Sequence, residues 1–171
     1  GFSFQGNGGT TMPRVAGVGG DNGYTGPRPK GSVIKNCIFN GGGNATTFTS
    51  NVEAIFLENV SNFTVSNCKI YSYLQTNNNH NTSGIKTYHC DSLTVQNCEI
   101  YNCVIGIYYK SDTDNSNIRY NYLHDNNQAI FVAPETQRML TDSLSIYHNL
   151  IINNPAGGIG WSGPGADPLT H

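Results

Sequence analysis

The chain has 171 residues, with 9 basic and 11 acidic side chains and a formal net charge of −2. Such sparse, balanced charge argues against a nucleic-acid-binding protein, which would carry a clustered basic face. No apolar run approaches the roughly 18 residues of a membrane-spanning helix. Asparagine is normally depleted in strands, so its recurrence beside strand-like segments indicates an architecture that places it at turns.

The first 31 residues are rich in glycine, with Phe2, Phe4 and Val15 as the notable apolar positions. We expect one domain, in which 1–31 form an irregular coil or an arm. Regular coils would follow over 32–162 and a tail over 163–171. No amphipathic segment is placed to cap the first coil.

Five similar segments follow, at 33–39, 64–70, 94–100, 117–123 and 145–151. Their alignment gives three columns, namely Ile34, Val65, Val95, Ile118, Ile146; then Cys37, Cys68, Cys98, Asn121, Asn149; then Phe39, Ile70, Ile100, Leu123, Ile151. The middle column lies at turns, and its members are 31, 30, 23 and 28 residues apart. Helical periodicity never lasts longer than a turn or two, so each segment is predicted to hold short strands.

A second set of segments interleaves with the first, and each begins with glycine or alanine followed by Ile55, Ile85, Ile107, Ile130 or Ile159. Such short strands can bury their apolar side only by stacking coil on coil, about 4.8 Å apart. The signatures of leucine-rich repeats and propeller blades are missing. Over roughly residues 31–162 the pattern resembles the pectate-lyase-like superfamily of right-handed parallel β-helices. The resemblance implies an all-β solenoid of about five to six coils, and it leaves the chemistry open, since the superfamily includes lyases, hydrolases, epimerases, adhesins and fibres.

The turn column changes from cysteine to asparagine along the chain. Asparagine can bond the main chain of its own turn and of the stacked neighbour, and cysteine is a small residue that can be buried there. A buried thiol ladder is therefore favoured over metal or redox chemistry. Cys90 and Cys103 lie off this ladder, and no disulfide is predicted, because parallel neighbours are poorly aimed for one.

Two turns are enlarged at the same corner of successive coils, over 40–51 and 71–83, and a third is enlarged over 134–143. The first two should form one wall beside the strands that contain the Gly/Ala-Ile pairs, so that the outer face of these strands becomes a groove. Alternation along the strands predicts which side chains face outward. They are Phe56, Lys86, Tyr108 and Phe131, then Glu58, Tyr88 and Lys110, with His89 and Asp112 at the strand ends.

Aromatic rings suit the apolar faces of sugars, and lysines suit the carboxylates of an acidic polysaccharide. The residue types match a uronate lyase, with Lys86 or Lys110 as base or charge neutraliser and Tyr88 or Tyr108 as acid. Substrate contacts would come from Phe56, Glu58, Phe131, His89 and Asp112. Glu58 and Asp112 could also contribute to a Ca²⁺ site, and no other metal or cofactor is predicted. The same side chains could instead form cross-strand ladders and charge pairs without any ligand.

Polygalacturonase motifs and the signatures of classical pectate lyases are absent, and His80, His124 and His148 are interpreted as surface or turn residues. The sequons at Asn44, Asn59, Asn62 and Asn81 are compatible with a secreted glycoprotein. We therefore expect an extracellular module that binds or modifies polysaccharide. The alternative is a structural subunit of a fibre, filament or adhesin, assembled end to end through unprotected coil ends.

Overall fold

The computed structural model describes residues 2–5, 14–18, 30–45, 52–75, 81–111, 113–133 and 143–162, in which all regular structure is β-strand. The first three coils contain β1 (Ser3–Gln5), β2 (Val15–Val18), β3 (Val33–Lys35), β4 (Ile38–Ala45), β5 (Glu53–Glu58), β6 (Thr64–Ser66), β7 (Lys69–Gln75) and β8 (Ser83–Tyr88). The last three contain β9 (Cys90–Asp91), β10 (Thr94–Gln96), β11 (Glu99–Tyr101), β12 (Ile105–Lys110), β13 (Thr113–Asp114), β14 (Asn117–Arg119), β15 (Tyr122–His124), β16 (Gln128–Ala133), β17 (Ser145–Tyr147), β18 (Leu150–Ile152) and β19 (Gly157–Trp161).

Three parallel sheets run along the molecule, each built from one strand per coil. The first sheet has the order β3-β6-β10-β14-β17, the second β1-β4-β7-β11-β15-β18, and the third β2-β5-β8-β12-β16-β19. A short pair, β9-β13, lies at the corner between the third and first sheets. The chain is thus a parallel β-helix of six coils, as predicted, and two strands of the glycine-rich segment already join its sheets.

The predicted apolar columns are confirmed by the strand register. Ile34 and its equivalents pair through the first sheet, Phe39 and its equivalents through the second, and Ile55 and its equivalents through the third. Apart from Ile159, which is exposed, their side chains form one hydrophobic core inside the helix or pack against it. Burial of these columns by stacked coils is what stabilises strands of only three residues.

Left-handed backbone at the corners explains the abundance of asparagine. Sixteen described non-glycine residues have φ between 47° and 62°, and eight of them are asparagine. At the corner between the first and second sheets they are Asn36, Asn67, Asn97, Tyr120 and His148. Asparagine tolerates this conformation better than most residues, so it recurs wherever the chain turns sharply.

The turn column forms the predicted ladder. The Cys98 main-chain N–H donates to Asn121 Oδ1 over 3.0 Å, and the Asn121 N–H donates to Asn149 Oδ1 over 3.0 Å. In the earlier coils the thiols donate to nearby carbonyls instead, as Cys68 does to Ser66 O over 3.3 Å. All five cysteines are free and buried.

A second ladder, which was not predicted from the sequence, lies at the corner between the second and third sheets. The Cys103 N–H donates to Asn126 Oδ1 over 3.1 Å, and the Asn126 N–H donates to Asn154 Oδ1 over 3.1 Å. Each member lies five residues after a member of the first ladder, so this spacing could have been used to predict the second ladder from the sequence. Burial raises the pKa of the Cys103 thiol to about 12, which keeps it protonated and unreactive.

Where the structure describes them, the first two enlarged turns lie side by side as expected. β4 and β7 extend beyond their neighbours and pair Gly43 with Tyr73, Asn44 with Leu74 and Ala45 with Gln75, after a bulge. A Cβ at Gly41 would collide with the Ser72 carbonyl oxygen, so glycine permits this close approach. We call residues 43–45 and 73–75 the loop wall. Most of the third enlarged turn, 134–142, lies outside the described residues.

Candidate functional site

The outer face of the third sheet carries most of the predicted site residues, in the predicted register. Phe56 pairs with Lys86, Lys86 with Tyr108, and Tyr108 with Phe131. In the next outward column Glu58 pairs with Tyr88. The direction of these side chains follows from alternation along the strands.

The predicted exposure of three of these side chains is wrong. Lys86 is 0% exposed, and Tyr108 and Phe131 are also buried. Tyr108 and Phe131 belong to a second apolar cluster outside the core, and Leu74 of the loop wall packs against it. The wall therefore covers this part of the face, which alternation along a single strand cannot reveal.

Lys86 lies at the centre of a buried polar network. Its Nζ lies 3.3 Å from Glu53 Oε1, and it is 3.4 Å from both the carbonyl oxygen and Oδ1 of Asn81. Burial lowers the pKa of Lys86 to about 8, although the nearby Glu53 carboxylate favours the charged form. Arg14 Nε also contacts Glu53, at 3.4 Å from Oε2. Neither Glu53 nor Arg14 was predicted from the sequence.

A cationic and aromatic strip remains accessible beside this network. The Arg14 guanidinium lies 4.5 Å from the centre of the Phe56 ring, and Phe56 meets Tyr88 edge-on at 5.7 Å. Lys110 Nζ lies 5.1 Å from the centre of the Tyr88 ring. Arg14 is exposed and the other three are partly exposed. We call Arg14, Phe56, Tyr88 and Lys110 the strip.

The sequence pattern of the family described as right-handed β-helix region matches residues 17–167. This chain belongs to the right-handed β-helix family. A solved structure with the same fold is the A-module of a mannuronan C-5 epimerase from Azotobacter vinelandii, with a TM-score of 0.52 and 16% sequence identity. The match covers 79% of this chain and 40% of that chain, and at this identity it establishes the shared fold alone. No curated protein matches the sequence.

The other residues that were predicted to contact the substrate are less accessible than the strip or lie outside the described residues. Glu58 is partly buried, and His89 is the buried corner residue that follows β8, with φ of 48°. Asp112 lies outside the described residues. Within the described ranges, no group of three or more His, Cys, Asp or Glu side chains is arranged to hold a metal ion. The same ranges contain no helix long and apolar enough to cross a membrane.

The four sequons differ in accessibility. Asn59 is buried in a corner with φ of 50°. Asn62 is exposed. Asn81 is partly buried, and its Oδ1 accepts contacts from both site lysines. The side chain of Asn44 lies outside the described residues.

A histidine cluster on the second sheet was not predicted. His124 Nδ1 lies 2.7 Å from Asp125 Oδ2, and its Nε2 lies 3.4 Å from Glu99 Oε1. The ring stacks on Tyr101 with 4.8 Å between centres. Because both ring nitrogens face carboxylates, this cluster joins two coils of the β-helix and leaves no nitrogen open to a substrate.

Proposed function

We propose that the outer face of the third sheet binds an acidic polysaccharide and modifies it by lyase-like proton abstraction beside a sugar carboxylate. The observation that carries the proposal is the strip, in which cations stand at both ends of two aromatic rings. Aromatic rings pack on the C–H faces of sugars. Arg14 and Lys110 would each meet a carboxylate of the polymer.

The length of the strip favours a polymer over a single sugar. Its four residues come from four successive coils, and coils stack about 4.8 Å apart. The strip therefore extends roughly 14 Å along the axis of the helix. A chain of sugar rings lying along that axis would contact all four side chains at once, which supports a polysaccharide ligand.

The two lysines have different roles in the proposed reaction. Lys110 is partly exposed and is assigned the role of base or charge neutraliser, and Tyr88 that of the acid that protonates the leaving oxygen. Lys86 is enclosed, 5.3 Å from the centre of the Tyr88 ring, so it acts through Tyr88 rather than on the substrate. Two ammonium groups beside Tyr88 would stabilise negative charge that develops there during proton transfer.

Binding is tested by isothermal titration calorimetry of the purified chain with a uronate polymer and with a neutral glucan. We expect binding of the uronate polymer only, weakening as salt concentration rises. Lys110→Ala should weaken it about tenfold or more, the loss of one charge-assisted contact of about 1.5 kcal/mol. Lys35→Ala removes an exposed cation from another sheet and serves as the control. Equal affinity for both polymers, or equal effects of both variants, would contradict the proposal.

Chemistry is tested separately from binding. A lyase product is detected by the ultraviolet absorbance of its new double bond. Polymer chains that stay uncut but have inverted configuration at sugar carbons are detected by NMR. Tyr88→Phe keeps the ring and removes the hydroxyl, so it should lower kcat about 100-fold while leaving affinity nearly unchanged. If Tyr88→Phe keeps full activity, Tyr88 is not the acid. Binding without any product would restrict the function to recognition.

A further inference from the structure

Glu58 places a carboxylate on the same face of the third sheet as the strip. It follows Phe56 by two residues in β5, so both side chains point outward, and it pairs with Tyr88 of the next coil. Its side chain is partly exposed. It forms no ion pair with any residue in the part of the chain that the structure describes. Because like charges repel, this carboxylate acts against any ligand that places a negative charge beside it.

The cations of the strip belong to the two outer coils of the four that it crosses. Arg14 comes from the first coil and Lys110 from the fourth. The second and third coils contribute the rings of Phe56 and Tyr88, and Glu58 lies beside these rings. The face is therefore positive towards both ends of the strip and carries a negative charge between them.

Lys86 does not reverse this pattern, although it belongs to the third coil. It is 0% exposed, so a ligand cannot contact its ammonium group. Its Nζ lies 3.3 Å from Oε1 of the buried Glu53 carboxylate, which balances part of its charge. Lys86 therefore does not remove the repulsion that a sugar carboxylate beside Glu58 would experience.

We propose that Glu58 is a specificity-determining residue, which selects polymers whose acidic sugars are separated by neutral ones over polymers that are acidic at every sugar. This inference rests on the proposed function, since it takes sugars to lie along the strip. Acidic sugars would pair with Arg14 and Lys110, and neutral sugars between them would pack on Phe56 and Tyr88. A polymer that is acidic at every sugar would place a carboxylate beside Glu58, which disfavours this ligand by repulsion.

The test uses two tetrasaccharides of the same linkage, because four sugar rings span roughly the length of four stacked coils. In one of them every sugar has a carboxylate, and in the other only the two terminal sugars have one. Isothermal titration calorimetry at a fixed salt concentration should give about tenfold higher affinity for the tetrasaccharide that is acidic only at its ends. Attraction by total charge alone would produce the opposite order.

Glu58→Gln removes the negative charge and keeps the size of the side chain. It should raise the affinity for the fully acidic tetrasaccharide about tenfold and leave the affinity for the other nearly unchanged. Glu99→Gln is the matched control, since it removes a carboxylate from the second sheet, and it should change neither affinity. Circular dichroism confirms that every variant is folded.

The outcomes separate this inference from the proposed function. If the unaltered chain binds neither tetrasaccharide nor the uronate polymer, the proposed function fails, and the inference fails with it. If the fully acidic tetrasaccharide binds more tightly and Glu58→Gln changes nothing, sugar binding stands and only the role of Glu58 is overturned. If added Ca²⁺ strengthens binding of the fully acidic form and Glu58→Gln abolishes this effect, Glu58 attracts the ligand through a cation, which also overturns the inference.

Discussion

The side chain of Asn121 makes three hydrogen bonds where the first sheet turns into the second. Its Oδ1 accepts from the Cys98 N–H, and its Nδ2 donates to Val95 O and to Asn149 Oδ1, each over 3.0 Å. The side chain is buried, so no solvent is at hand to replace these bonds. At the scale of one residue, this amide links three successive coils.

Asn121→Ala should lower the free energy of unfolding by about 3 kcal/mol, because it removes these bonds and leaves the buried Cys98 N–H without an acceptor. Urea unfolding followed by circular dichroism measures the loss. Asn117→Ala, at an outward position of the same coil, should change stability by less than about 0.5 kcal/mol. Similar losses for both variants would mean that the ladder amide contributes no more than a surface one.

Asn97 illustrates the other use of asparagine, since it is exposed and turns the corner with φ of 53°. Alanine in this conformation costs about 1 kcal/mol, and glycine has no such cost. Asn97→Ala should therefore destabilise the chain by about 1 kcal/mol, whereas Asn97→Gly should be close to neutral. Comparison of the two unfolding curves separates the backbone effect from loss of the side chain, which both variants share.

At the scale of the strand, charged contacts join neighbouring rungs of the second sheet. Lys69 Nζ of β7 lies 2.9 Å from Glu99 Oε2 of β11, and His124 of β15 contacts the same carboxylate. Lys69, and to a smaller extent His124, lower the pKa of Glu99. Three successive coils are thus connected on their outer surface as well as through the core.

This network predicts a dependence of stability on pH. A carboxylate whose pKa is lowered on folding stabilises the fold above its unfolded pKa of about 4.3, and the contribution is lost as pH falls through the folded value. Glu99→Gln should therefore reduce the loss of stability between pH 5 and pH 3 (both limits approximate). The effect should stay below about 1 kcal/mol, because the side chain is 37% exposed. Urea unfolding across this range, with Glu58→Gln as the control, measures it; equal curves for Glu99→Gln and the unaltered chain would contradict the assignment.

The strand register could be predicted from the sequence because stacked columns repeat the same residue type in every coil. A single alignment of the repeats was enough to place three isoleucines side by side, namely Ile55, Ile85 and Ile107. Burial of the outer face could not be predicted, since it depends on the loop wall, which pairs outside the repeating segments. Leu74 covers the face from this wall, outside the repeating segments.

The ion-pair partner of Lys86 was missed for a local reason. Strict alternation along β5 would place position 53 on the same side as Ile55, with the Glu53 carboxylate inside the core. Ala54 and Ile55 both face the core, so the alternation breaks at the start of β5 and Glu53 turns outward. Arg14 lies in the glycine-rich segment, where no repeat fixed a register, and so it is the one residue of the strip that was not predicted.

At the scale of the whole molecule, each coil contacts its neighbours above and below. Stability is then close to a sum of coil and interface contributions. The strip lies along one side of the first four coils, so a ligand bound there would contact several coils at once.

The coil-by-coil ladder also has a mechanical consequence. A force pulling the two ends of the chain apart would load the terminal interfaces first, and each coil that peels away would free a segment of 23 to 31 residues. Fully extended, one such segment lengthens the tether by roughly 80–110 Å. A single molecule held in an optical trap should therefore yield in steps of that size, with the smallest where the step from Cys98 to Asn121 makes the coil shortest.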